Sequence, residues 1–205
     1  MTSIERAFAL FEACKYVIKN NIEGDFVECG AWKGGSAMIM AYVLLLLNEH
    51  DRQIFLYDTF EGMSEPGVQD IDVNGISAKE LLQKDDSKTG HVWARSPEDE
   101  VRSNLYSTGY NKENIHFIKG KVEYKIPEFS PKQISLLRLD TDWYESTKHE
   151  LVHLYPLLSQ SGILIIDDYG HWAGARKAVD EYFTGINEKV FLNRIDYTGR
   201  LIIKQ

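Results

Sequence analysis

Seven short apolar runs, most of them separated by stretches of helical periodicity, leave this chain few folds to choose from. The runs fall at 25–29, 53–57, 115–119, 134–140, 162–167, 189–193 and 200–204. Helical spacing fills 34–49, 97–107, 146–158 and 173–184. A further amphipathic helix opens the chain after the cap candidate Ser3, with Ile4, Ala7, Phe8, Phe11, Ala13, Val17 and Ile18 on its apolar side. Strands that alternate with helices are joined by crossovers and lie parallel, so the expected fold is α/β, a doubly wound, mostly parallel seven-stranded sheet. The last two runs break the rhythm. Asp196-Tyr197-Thr198-Gly199 between them reads as a turn, which predicts a C-terminal antiparallel hairpin.

A length of 205 residues suits one domain, 1–205, with a core large enough to need no staples. Within it, 61–95 fits neither period and carries Gly62, Pro66, Gly67, Gly75 and Gly90 among many charged and hydroxyl residues. An insertion of that length directly after the second strand is expected to be a mobile lid over the ligand crevice, with a short helix near 77–83. A solvated loop without catalytic role is the alternative.

The net charge of −8 and a pI near 5.3 disfavour a nucleic-acid or anionic-membrane partner, because such binding needs Lys and Arg to neutralise phosphates. Cys14 and Cys29 fall in a helical pattern and at a strand end, so neither a disulfide framework nor a thiolate zinc site is implied. The start lacks a basic region followed by an apolar one, and the richest apolar stretch, 37–47, is short of the roughly 20 residues that cross a bilayer. A cytoplasmic protein with a small-molecule partner is the expectation.

Two apolar runs end in acids: Leu139-Asp140-Thr141-Asp142 and Ile166-Asp167-Asp168. In an open α/β sheet, ligands bind outside the carboxyl ends of the parallel strands. Carboxylates crowded there repel one another unless a cation joins them, and a divalent metal is the obvious guest. Each pair alone could equally cap the helix that follows it. Asp140 and Asp142 point to the same side of an extended segment, so one could bind metal while the other reaches the same substrate.

The segment Glu28-Cys29-Gly30-Ala31-Trp32-Lys33-Gly34-Gly35-Ser36 reads as a strand end, a glycine turn and a helix start. Gly30 permits a sharp turn, and Gly34 and Gly35 let backbone approach a ligand at the helix N-terminus. The order matches neither the dinucleotide fingerprint nor a phosphate loop. Asp58, ending the second strand, lies where an acid meets a ribose hydroxyl pair.

Glu28-x-Gly30-x-x-x-Gly34-x-Ser36 followed by Tyr57-Asp58-Thr59-Phe60-Glu61-Gly62 resembles the S-adenosylmethionine site of class I methyltransferases, specifically the macrocin-type sugar O-methyltransferase family. The likeness continues through Asp140-Thr141-Asp142-Trp143-Tyr144-Glu145-Ser146-Thr147 and Ile166-Asp167-Asp168-Tyr169-Gly170, and covers nearly the whole chain. It implies transfer of a methyl group from S-adenosylmethionine, with Mg²⁺, to a sugar hydroxyl of a glycosylated small molecule. It also implies Asp140, Asp167 and Asp168 on the metal and Asp142 as general base. Glu28, Gly30 and Ser36 would surround the methionine part of the cofactor, Asp58 the ribose, and Gly120 with Val122 the adenine. Thr141 stands where a small residue is expected. The chain begins only one helix before the glycine loop, so the N-terminal extension that shapes acceptor pocket and subunit contacts is expected to be largely absent; the partner the resemblance implies besides the acceptor is a second copy, in a homodimer.

Three other functions share parts of this pattern. A catechol-type O-methyltransferase also uses a carboxylate-bound metal. A glycosyltransferase could hold a metal and a nucleoside diphosphate through Asp140-x-Asp142, which leaves the glycine loop unexplained, and a non-catalytic cofactor-binding scaffold leaves the intact acids unexplained. His171 in the loop after Asp168 is an auxiliary-base candidate or an exposed loop residue. His149 and His153 lack a third ligand, and Arg138 inside an apolar strand reads as a balance for the acidic cluster.

Overall fold

A computed structural model describes residues 2–84 and 93–205. Its centre is a seven-stranded sheet in the order β3-β2-β1-β4-β5-β7-β6. The strands are β1 (Asp25–Cys29), β2 (Ile54–Asp58), β3 (Ile115–Lys119), β4 (Ile134–Leu139), β5 (Leu158–Ile166), β6 (Asn193–Arg194) and β7 (Arg200–Ile203). β1 to β5 pair in parallel, and β7 runs antiparallel to both β5 and β6. The helices are α1 (Ile4–Lys19), α2 (Gly35–Leu46), α3 (Ala78–Lys84), α4 (Glu98–Ser107), α5 (Val122–Lys125), α6 (Tyr144–Leu154) and α7 (Ala173–Gly185).

Alternation along the strands divides the core in two. Phe26, Leu56 and Leu136 join Leu10, Val17, Met40 and Leu44 of α1 and α2 on one face. Val27, Tyr57, Leu137 and Leu164 join Leu151, Leu154 and Phe183 of α6 and α7 on the other. A parallel sheet covered on both faces explains why its strands read as continuous apolar runs. Cys14 and Cys29 are both free and buried in these clusters. Among the described residues, no helix is long and apolar enough to cross a membrane.

Three elements differ from expectation. Pro156 cannot continue an α-helix, so α6 stops at Leu154, a 3₁₀ turn covers Tyr155–Leu157, and β5 starts at Leu158, earlier than its polar Ser159-Gln160-Ser161 suggests. The sixth strand is confined to Asn193–Arg194 rather than 189–193, because Val190 and Leu192 turn onto the second core cluster instead of pairing. The hairpin turn itself forms as read, with Asp196 Oδ1 accepting from Thr198 N (2.9 Å) and Gly199 N (2.7 Å).

The described parts of the 61–95 insertion are packed. Ser77 Oγ accepts from Glu80 N at the start of α3, where the short helix is expected. Asp70, 1% exposed, accepts from Gly67 N (2.7 Å) and from Tyr144 N (2.8 Å) at the first residue of α6, a cap supplied from 74 residues away. Ala78 and Leu82 join Trp143, Trp172 and Ala175 in a third apolar cluster, and Ala173 N donates to Ile71 O (2.9 Å). The middle of the expected lid, 85–92, lies outside the described residues.

Candidate active site

The sheet order reverses direction between β1 and β4, and at the carboxyl ends of β1, β2, β4 and β5 a cavity of about 410 Å³ opens. Gly30 leaves β1 with φ +86°, and a Cβ there would fall 2.0 Å from the Asp140 carbonyl oxygen. Only glycine lets the turn after β1 lie against the turn after β4. Asp58 clasps that turn: its Oδ2 accepts from Ala31 N (2.7 Å) and Trp32 N (3.0 Å), and its Oδ1 from Phe60 N (2.6 Å). Gly120 follows β3 and donates its N–H to Asp58 O (2.9 Å). Gly30, Asp58, Gly120 and Val122 all line the cavity.

The other expected cofactor residues stand outside that lining. Ser36 is buried in the first turn of α2. Glu28 is 1% exposed and its Oε1 accepts from Arg138 Nη1 (2.7 Å). Gly34, where close ligand approach is expected, makes room for α4: a Cβ there would meet Leu105 Cδ2 at 2.6 Å.

Asp140, Asp167 and Asp168 each present a carboxylate oxygen within 4.8 Å of the others. The ladder fixes them, since Asp140 N donates to Cys29 O (2.8 Å) and Asp167 N to Leu139 O (2.9 Å). Beneath them Arg138, 2% exposed, donates from Nη1 to Asp140 Oδ2 (2.7 Å) and from Nη2 to Asp167 Oδ1 (2.6 Å). A compact, all-carboxylate oxygen set is the donor chemistry of a hard divalent cation, so these residues fit Mg²⁺. Asp142 sits beside them with φ +67°, and its Oδ1 accepts from Trp172 Nε1 (2.7 Å).

Burial and crowding shape the acidities. Desolvation, reinforced by the neighbouring Asp167, pushes Asp142 up to about 6, against hydrogen bonds from Asp168 and Trp172 that lower it. Desolvation raises Asp140 and Asp168 well above the carboxylate range, the neighbouring Asp142 and Asp167 add to both rises, and the Arg138 guanidinium opposes the rise on Asp140. Burial lifts Glu28 to about 7 even with Arg138 beside it, and lifts Asp58 against its three backbone donors. Burial alone would lower Arg138, but Asp140, Asp167 and Glu28 hold it well above its ordinary value.

Residues 1–204 match the macrocin-O-methyltransferase (TylF) family. The chain belongs to that family. The demethyldecarbamoylnovobiocin O-methyltransferase of Streptomyces niveus is 34% identical over 182 residues, 89% of this chain and 66% of that protein. An 8-demethyl-8-(2,3-dimethoxy-alpha-L-rhamnosyl)-tetracenomycin-C 4'-O-methyltransferase of Streptomyces olivaceus is 32% identical over 97% of this chain and 73% of its own length. The chain thus spans between 66% and 73% of the length of these two relatives. The solved O-methyltransferase NovP superposes with a TM-score of 0.86 at 30% identity, over 99% of this chain and 81% of that one.

In this macrocin-type chain the structure adds residues to the site that periodicity does not reveal. Arg6 of α1 lines the cavity and donates from Nη1 to Asp167 Oδ2, with its Nε 3.1 Å from Asp196 Oδ2. Its partner lies 161 residues away, and a charge on the solvated edge of a helix is the ordinary reading of such a residue. Trp172, held edge-on to Trp143 at 5.0 Å, tethers Asp142. Thr141 finds a partner in Glu150, whose fully buried Oε1 accepts from Thr141 Oγ1 (3.0 Å). His171 lines the cavity, stacked edge-on against Trp172, with Nδ1 3.5 Å from the Tyr197 hydroxyl. His149 faces the Ile126 carbonyl (3.0 Å) and pairs with His153, away from the cavity lining.

Proposed function

We propose that this protein is an S-adenosylmethionine-dependent O-methyltransferase that uses Mg²⁺ to methylate a hydroxyl on a sugar unit of a glycosylated small molecule. The observation that carries the reading is the meeting, in one cavity, of the Asp140-Asp167-Asp168 triad, the tethered Asp142 and the glycine turn clasped by Asp58. Membership of the macrocin-O-methyltransferase family and the printed activities of the relatives support it.

Methyl transfer is an in-line displacement, so the protein must align an acceptor oxygen with the methyl and remove one proton. S-adenosylmethionine, when bound, supplies the electrophilic methyl group. Mg²⁺ on Asp140, Asp167 and Asp168 would supply positive charge that eases ionisation of the acceptor hydroxyl. Gly30, Asp58, Gly120 and Val122 line the part of the cavity assigned here to the cofactor, and the adjoining acidic cluster lines the part assigned to metal and acceptor. Asp142 takes the hydroxyl proton, its carboxylate made more basic by burial and by the neighbouring Asp167. The Trp172 N–H holds the Asp142 carboxylate in place through Oδ1. Met63, Leu81, Trp143 and Trp172 give the acceptor an apolar wall beside the base. Alignment by these fixed groups supplies much of the rate.

The test is a mass-spectrometric screen for gain of one methyl group across glycosides, nucleotide sugars and phenolic diols, with and without Mg²⁺, alongside calorimetry with S-adenosylmethionine. Metal-dependent methylation of a glycoside is the expected result. Absence of S-adenosylmethionine binding together with tight binding of a UDP-sugar and Mn²⁺ would replace this reading with a glycosyltransferase.

A further inference from the structure

Asp167 is gripped through both oxygens by two arginines that differ in kind. Arg138 holds Oδ1 at 2.6 Å from beneath the sheet end, is 2% exposed, and is itself fixed by Glu28 and Asp140. Arg6 holds Oδ2 from the cavity side and comes from the first turn of α1. That turn is tied to the C-terminal hairpin: Ser3 Oγ donates to Asp196 Oδ2 (2.9 Å) and accepts from Arg6 N (3.2 Å), while Arg6 Nε stands 3.1 Å from the same Asp196 oxygen. The end of α1, the hairpin turn and one carboxylate of the acidic triad therefore form a single hydrogen-bonded unit.

We infer that Arg6, on the cavity side and opposite the buried Arg138, is the displaceable counter-cation of this acidic site and sets its metal affinity by competing with the divalent cation for Asp167. The inference rests on the metal reading given above. A guanidinium beside three carboxylates relieves their mutual repulsion, and the same fixed positive charge repels a divalent cation among them. Arg138 alone keeps Asp167 oriented through Oδ1, so losing Arg6 removes the competitor and leaves the ligand in place. Because Arg6 also anchors α1, a cation that takes over Asp167 loosens the first turn of that helix, and by reciprocity a loosened first turn strengthens cation binding.

The experiment is a calorimetric titration of Mn²⁺ into the EDTA-stripped full chain, comparing wild type with Arg6→Met and Arg6→Lys, each checked for folding by circular dichroism. Arg6→Met is expected to bind Mn²⁺ about tenfold tighter or more. Arg6→Lys, which keeps the charge but loses the fork that spans Asp167 and Asp196, is expected to bind less tightly than Arg6→Met, and Mn²⁺ binding by Arg6→Lys as tight as by Arg6→Met also overturns the inference. Equal or weaker binding by Arg6→Met overturns the inference. Hydrogen exchange on the wild type is a second measurement that needs no variant: Mn²⁺ should speed exchange of the Arg6 and Ala7 amides, both bonded to Ser3, and slowed exchange there also overturns it. A wild type that binds no Mn²⁺ at millimolar concentration refutes the metal reading itself, which is a different result from equal binding by both proteins.

Discussion

Replacing Glu28 by Gln removes a charge from the most buried acid in the β1 to β4 pairing, and the structure fixes how the effect should depend on pH. Glu28 Oε1 bonds to Arg138, whereas Oε2 is buried with no hydrogen-bond partner among the described residues. Burial lifts the group from its ordinary 4.5 to about 7. A carboxyl raised on folding binds its proton more tightly in the native state, so its contribution to stability is fully present below pH 4.5 and is lost as pH rises to 7. The loss amounts to about 3 kcal/mol. Gln keeps the shape and an acceptor for Arg138 but does not titrate. Its amide N–H, placed where Oε2 has no partner, costs about 1–3 kcal/mol at every pH. The difference in stability, Glu28→Gln minus wild type, should therefore rise by about 3 kcal/mol in favour of the variant between pH 4.5 and pH 8. At a urea m-value of about 2 kcal/mol/M that is about 1.5 M in relative midpoint. Equilibrium urea unfolding in EDTA across that range measures it, and curves for the two proteins that stay parallel would refute the reasoning.

Asp142→Asn should keep S-adenosylmethionine affinity by calorimetry and lower kcat about 10²–10⁴-fold, the usual worth of a positioned base; unchanged turnover moves the base elsewhere. Trp172→Phe keeps the ring against Trp143 but deletes the N–H that holds Asp142, so kcat should fall about tenfold with KM for the cofactor unchanged. Gly30→Ala forces a Cβ to within 2.0 Å of the Asp140 carbonyl at positive φ. Thermal melts should show a loss of about 3 kcal/mol or more, together with weakened cofactor binding. Leu151→Ala, which empties a fully buried position on α6, should cost about 2–5 kcal/mol in chemical denaturation without changing the relative affinity for Mn²⁺.

The sheet was readable in the chain wherever burial on both faces demanded continuous apolar runs, as at Phe26-Val27 and Leu136-Leu137. It was unreadable where polarity disguised the backbone, as at Ser159-Gln160-Ser161 in β5, or where apolar residues served packing rather than pairing, as at Val190 and Leu192. The acidic triad was legible for a local reason. Each carboxylate sits one or two residues past the end of a parallel strand, and adjacent parallel strands deliver their ends to one place. The resemblance implies Glu28 beside the methionine part of the cofactor, and the partner that the fold gives it, Arg138 on the adjacent strand, is visible only in the tertiary structure.

Sequence by itself determined the parallel sheet, the hairpin, the glycine turn and the three converging aspartates, because each follows from periodicity or from position along a single element. Tertiary structure decided the residues that hold those groups: Arg6 on Asp167, Trp172 on Asp142, and Asp70 capping α6. These contacts join residues 30 to 161 positions apart. Local propensity carries no trace of such a partner, since a charge or indole that will meet a carboxylate across the fold is indistinguishable, along the chain, from one that faces water.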